Sequence, residues 1–194
     1  MSVTYQVKSL DTLAAETASL DQLSRSLLLN SIVSCDGQPL GRVTHRDLVF
    51  FSRTWAGWAL EEWGEKPPEE SLGALSLIDQ WLQDPGSCQD DLEAAWSGNG
   101  PPHHRPVQQR AAAWAARVAV GPAGSFLASA RTASEAAWAS AWAAEAAARA
   151  AGAAEAAAES AVWAARAAAY QRQGRFIVEH LKNSSQTSFP FPRT

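Results

Sequence analysis

Alanine constrains this chain more than any other residue. Residues 111–169 hold 32 Ala, more than half of that stretch. Ala is the best helix former, because its side chain gives up no rotamer freedom and hides no polar group. It also buries little apolar surface, so a helix of Ala alone folds readily and packs weakly. Larger residues must supply the burial, and the chain carries nine Trp against one Met. Small residues let helices approach closely, and indoles fill the gaps that remain. The expected fold is all-α: an antiparallel helical bundle of six or seven helices with Ala/Trp-rich C-terminal helices. Short loops should set consecutive helices antiparallel.

Punctuation along the sequence divides it. Val3, Tyr5 and Val7 alternate with polar residues and point to an extended start. Ser9 reads as an N-cap, with Leu10, Leu13, Leu20, Leu23 and Leu27 at helical spacing over 10–30. Ile32 to Val43 is a connection, or a short hairpin turning at Asp36-Gly37. Thr44-His-Arg-Asp47 resembles a capping box and opens a helix over 45–63 with an aromatic stripe. Further helices are expected over 70–83, from Ser87 through Trp96, and over 107–119. Burial of Trp55, Trp58, Trp81, Trp96 and Trp114 should hold the N-terminal helices together. Gly121-Pro-Ala-Gly124 interrupts the pattern, and Thr132-Ala-Ser-Glu135 offers a second capping box. Helical propensity then stays high to Lys182.

As one straight helix, 132–182 would be about 75 Å long. A compact domain of this length is roughly 40 Å across. A break near Gly152 is therefore favoured, although Ala153-Ala154 offers no N-cap for a new helix. The implied division is an N-terminal helical bundle over 1–100, an Ala/Trp-rich region over 101–182 packing on it, and a disordered Ser-, Thr- and Pro-rich tail over 183–194.

Steps of seven from Trp142 reach Arg149, Ala156, Trp163, Tyr170 and Ile177. Four residues after each lies a small residue or a leucine: Ala146, Ala153, Ser160, Ala167, Gly174 and Leu181. Trp138 joins this seam by pairing with Trp142 at i,i+4. Glu145, Arg166 and Gln173 fall on the opposite face, where solvent is expected. The seam is either core or a docking surface, and exposed Trp would mark an interface hot spot. Trp138, Trp142, Trp163 and Tyr170 are the candidate partner-binding residues.

Catalytic, cofactor and metal motifs are not found. His103-His104 are adjacent, so their side chains diverge on regular backbone, and no Cys, Asp or Glu stands nearby at ligand spacing. Cys35 near Arg42 and His45 is a weak thiolate pattern. Gly121-Pro-Ala-Gly-Ser125 is not a nucleophile elbow, and no phosphate loop is present. The pairs Glu61-Glu62, Glu69-Glu70 and Asp90-Asp91 sit where solvated or dipole-complementing carboxylates belong. A formal charge of −4 argues against a nucleic-acid partner, which would need a basic stripe. No run of about 18 uncharged apolar residues would span a membrane, and no signal peptide opens the sequence. Two isolated cysteines suit a cytoplasmic protein.

Trp96-Ser-Gly-Asn-Gly-Pro-Pro-His-His104 and the helix after it resemble an uncharacterised bacterial family of small Ala/Trp-rich helical proteins. The stretch ending Ala169-Tyr-Gln-Arg-Gln-Gly-Arg-Phe176 is similar to the ends of bacterial immunity proteins, which neutralise secreted toxins, and of helical accessory proteins. Neither resemblance transfers a catalytic residue or a cofactor. The expected function is non-catalytic protein binding, as an immunity-type inhibitor or a secretion-system accessory or chaperone. The expected partner is a bacterial toxin or a secretion-system component, with a homodimer as another arrangement. The alternative is a helical enzyme or small-ligand-binding protein with a Trp-lined pocket.

Overall fold

In the computed structural model, the long helices begin where the Thr44-x-x-Asp47 pattern places them. The structure describes residues 7–9, 32–35, 38–42, 44–62, 66–97, 106–121, 126–150 and 156–187. Helix α1 spans His45–Glu61. Thr44 Oγ1 accepts from the Asp47 N–H at 3.2 Å, and Asp47 Oδ2 accepts from the Thr44 N–H at 2.8 Å. Two donors that the helix leaves unpaired at its start are thereby satisfied. Helices α2 (Glu69–Gln83), α3 (Gln89–Ser97), α4 (Val107–Val120), α5 (Phe126–Ala150) and α6 (Ala156–Thr187) follow. From His45 onward, every regular element among the described residues is an α-helix, six in all.

Ahead of them lie three short strands, β1 (Val7–Ser9), β2 (Ile32–Cys35) and β3 (Gln38–Arg42). The all-α expectation thus describes the chain from His45 and omits this small sheet. β1 runs parallel to β2, with Val7 opposite Ile32, and β2 pairs antiparallel with β3, with Cys35 opposite Gln38. The register shifts between Val33 and Ser34, where Pro39 faces Ser34. Proline removes a ladder donor, so it is tolerated on an outer strand or at an irregularity, and here it has both. The expected helix over 10–30, residues 98–105 and residues 188–194 lie outside the described residues. Helix α6 itself continues to Thr187, past the expected start of the tail at Asn183.

Helix α4 is the central element. Ala111, Ala112, Ala113, Ala115, Ala116, Val118 and Ala119 are all buried, so almost its whole circumference is covered. It packs against α1, α2, α3 and α5. A helix apolar all round belongs in the interior, and alanine lets four neighbours approach it closely. The larger side chains come from those neighbours. Phe51, Trp55, Ile78 and Leu92 are fully buried, Trp81 is buried, and Trp58 and Trp114 pack partly buried on the same core. Trp96 meets Trp114 with ring centroids 5.0 Å apart.

Pairs of contacts fix the directions. Arg46 Nη2 donates to the Leu82 carbonyl at 2.6 Å, and Arg53 makes a two-pronged contact to Asp79, both bonds 2.7 Å. Rising numbers on α1 meet falling numbers on α2, so the two are antiparallel. By the same test α6 runs antiparallel to α1: Asp47 meets His180, and Glu61 meets Arg172.

One helix start differs from expectation. α5 starts at Phe126, not at Thr132, because Phe126-Leu-Ala-Ser-Ala130 contains no breaker. A Thr and a Glu three residues apart are neighbours on any helical turn, so the second capping-box pattern is an interior pair. Gly152 lies outside the described residues. The helices either side of it nevertheless turn back on each other: Glu145 meets Arg166, and Ala137 meets Gln173. Helices α5 and α6 therefore run antiparallel.

Candidate protein-docking face

The antiparallel arrangement of α5 and α6 changes what the alanine seam does. Read along one continuous helix, Trp142 and Trp163 share a face. In the folded chain they stand on two antiparallel helices. The residues expected to face solvent, Glu145, Arg166 and Gln173, instead meet α5 or α6 across their contact. Glu145 is 9% exposed and Gln173 0%, whereas Trp138 is 38%, Trp142 37% and Trp163 54% exposed. Polar residues lie in the joint, and indoles stand outside it.

The inversion has a packing cause. Ala133, Ala136, Ala137, Ala139, Ala141, Ala143 and Ala144 are all buried, so α5 is hemmed in around most of its circumference. Helices that approach on alanine leave no room for an indole between them. Longer, thinner polar side chains do fit, provided that they find partners. Glu145 Oε1 accepts from Arg149 at 2.6 Å, and its Oε2 accepts from Arg166 at 3.3 Å. Gln173 Nε2 donates to the Ala137 carbonyl at 3.0 Å. The seven-residue spacing misled because it carries no information about where the chain turns.

Two of the exposed indoles adjoin. Trp138 and Trp142 lie one turn apart on α5, with ring centroids at 4.4 Å. Arg166 stacks over Trp163, its guanidinium carbon 4.2 Å from the ring centroid, while bonding Glu145. Glu145 follows Trp142 by three residues on α5, and Arg166 follows Trp163 by three on α6, so each helix contributes one exposed indole and one member of this ion pair. Trp163 keeps much of its ring in solvent beside this cation–π contact. Tyr170, the fourth candidate, is partly buried against the core. Leu72, on α2, is a further exposed large apolar residue.

Other chemistry-bearing residues are used structurally. His180 Nε2 lies 2.9 Å from Asp47 Oδ1, and its ring packs on Phe50 and Phe51. Burial works to raise the Asp47 pKa, but its hydrogen bonds with His180 and with Thr44 outweigh that and hold it below the ordinary carboxylate value. Burial lowers the His45 pKa, with a hydrogen bond to the Ala119 backbone opposing it in part. The His45 ring also meets Trp81 edge-on at 5.4 Å. Burial raises the Glu62 carboxyl, opposed by nearby Arg172. Cys88 is half-buried, its thiol donating to the Leu77 carbonyl at 3.3 Å. Among the described residues, no group of three or more His, Cys, Asp or Glu could hold a metal ion. The His103-His104 pair and the Cys35 side chain lie outside what is described.

One groove of about 340 Å³ opens between α2, α3 and α4. Gly73, Ala74, Ala94 and Ala112 contribute to its walls, Glu70 and Gln109 also line it, and no indole does. No described helix is long and apolar enough to cross a membrane. No family model, curated protein or solved structure matches the chain.

Proposed function

We propose that this chain is a non-catalytic protein-binding protein that docks its partner on the Trp138–Trp142–Trp163 face. The supporting observation is the exposure of three indoles on the adjacent helices α5 and α6, two of them in ring contact. Indoles left in water are unfavourable unless something covers them, and Trp is enriched among residues that dominate binding energy. The rest of the chain serves as scaffold. We read the six described helices as an antiparallel bundle in which α4 is the core and α5–α6 present the face. Roles of this kind include an immunity-type inhibitor of a toxin and an accessory or chaperone of a secretion system, both working in the cytoplasm. A small-ligand reading draws on the α2–α3–α4 groove, whose alanine walls suit a compact apolar molecule.

The test is affinity purification from the native host with two baits, the natural chain and the triple variant W138A/W142A/W163A. The proposal expects at least one protein that the first bait enriches and the second does not. Identical protein sets with both baits, together with a small molecule retained in native mass spectra, would overturn it.

A further inference from the structure

The exposed strip of α5 carries its own pattern. Trp138, Trp142 and Arg149 are exposed, and Glu135 and Ala146 are half-exposed. Glu135, Trp142 and Arg149 recur every seven residues, with Trp138 three after the first. That is the spacing of a coiled-coil seam two heptads long. The residues beside it, Ala136, Ala137, Ala139, Ala143 and Ala144, are buried inside the chain. The seam is therefore a narrow outward stripe and not a continuation of the core.

We infer that a second copy of this chain covers this stripe, α5 packing antiparallel on α5 about a two-fold axis at Trp142. The inference rests on the reading of the Trp face as a protein-docking surface and names its occupant. Its support is self-complementarity, which an isologous interface requires. With the axis at Trp142, Glu135 of one copy falls opposite Arg149 of the other, and the same pair recurs by symmetry. Trp138 falls opposite Ala146, a large side chain over a small one, as ridges into grooves require. Trp142 meets Trp142 at the axis. A parallel pairing would instead place Glu135 on Glu135 and Arg149 on Arg149, which like-charge repulsion disfavours. Arg149 already bonds Glu145 within its own chain, so it arrives positioned, with 67% of its side chain still exposed.

The stripe from Glu135 to Arg149 is about 21 Å long at 1.5 Å per residue. One stripe of this length from each copy makes an interface below the standard size of stable complexes and in the range of weak, transient ones, so dissociation in roughly the ten- to hundred-micromolar range is expected. Sedimentation velocity of the full chain from about 1 to 200 μM brackets that range. The expected result is a monomer–dimer equilibrium. E135R and R149E should each weaken it about tenfold or more, since symmetry creates two repulsive pairs per dimer. The double variant E135R/R149E restores opposite charges and should return the affinity to within a few-fold of the natural chain. Circular dichroism on each variant checks that the helices persist. A monomer throughout the range overturns the inference, as does a dimer indifferent to both charge reversals. If the chain is monomeric while a protein partner still depends on the three indoles, only the identity of the occupant falls and the docking role stands.

Discussion

At the scale of single residues, the described tryptophans include two kinds, core and surface. Trp55 is 1% exposed and stacks on Phe51 inside the core. Trp55→Ala should lower stability by about 3–5 kcal/mol, since it removes apolar burial and leaves a cavity. Trp163→Ala, on the outer face, should change it by less than about 1 kcal/mol. Urea unfolding of both variants measures the contrast, and equal losses would show that Trp163 is core. Gly73 lies inside α2, and a Cβ added there would meet nothing within 4 Å. Gly73→Ala should therefore stabilise the chain by about 0.5–1 kcal/mol, through a more restricted unfolded state. His45 gives a pH signature. Its folded-state pKa lies below the ordinary 6.5 because of burial, so the folded chain binds fewer protons there than the unfolded one. Its contribution is complete above that ordinary value and is lost as pH falls through the depressed one. Unfolding midpoints measured from about pH 7.5 down to about pH 5 should fall more steeply for the natural chain than for His45→Gln. Parallel curves would exclude this role for His45.

At the scale of elements, the joint between α5 and α6 is held by polar side chains set between alanines. Glu145 is the centre of that joint, accepting from both Arg149 and Arg166. Glu145→Gln should destabilise by about 1–2 kcal/mol, discounted from the value for a fully buried pair because both arginines reach solvent. It should also loosen Trp163, seen as a red shift of indole emission, because Arg166 loses the anchor that holds it over the ring. An unchanged spectrum and midpoint would mean that alanine packing alone sets the joint. Helix existence was legible in the sequence because Pro, Gly and capping residues punctuate it: Thr44 and Asp47 mark the start of α1, and Asp84-Pro85-Gly86 closes α2. Gly86 takes φ +102°, a backbone conformation that glycine adopts without strain. The start of α5 was not legible, because Thr132 and Glu135 make the same local pattern in a helix interior as at a cap. The sheet was half legible, since Val7 alternates with polar residues but the pairing of β1 with β2 joins segments more than twenty residues apart.

At the scale of the whole molecule, alanine content decides the layout. A helix clad in alanine can be surrounded, and α4 is, with its one indole, Trp114, partly buried against the core; α5 instead turns Trp138 and Trp142 outward. The sequence shows which residues share a helix face but not which face meets the body, because alanine is equally at home in a core and on a surface. That is why Trp138, Trp142 and Trp163 could be named as candidates from spacing, while Glu145 and Gln173 were assigned to the wrong environment. Hydroxyl-radical footprinting with mass spectrometry, on the chain diluted below the concentration at which copies associate, reads each tryptophan separately. Fast oxidation of Trp138, Trp142 and Trp163, with Trp55 and Trp81 protected, is the result expected of an outward indole face. Protection of Trp138 and Trp142 in the dilute chain to the level of Trp55 would place them in the core and contradict the account.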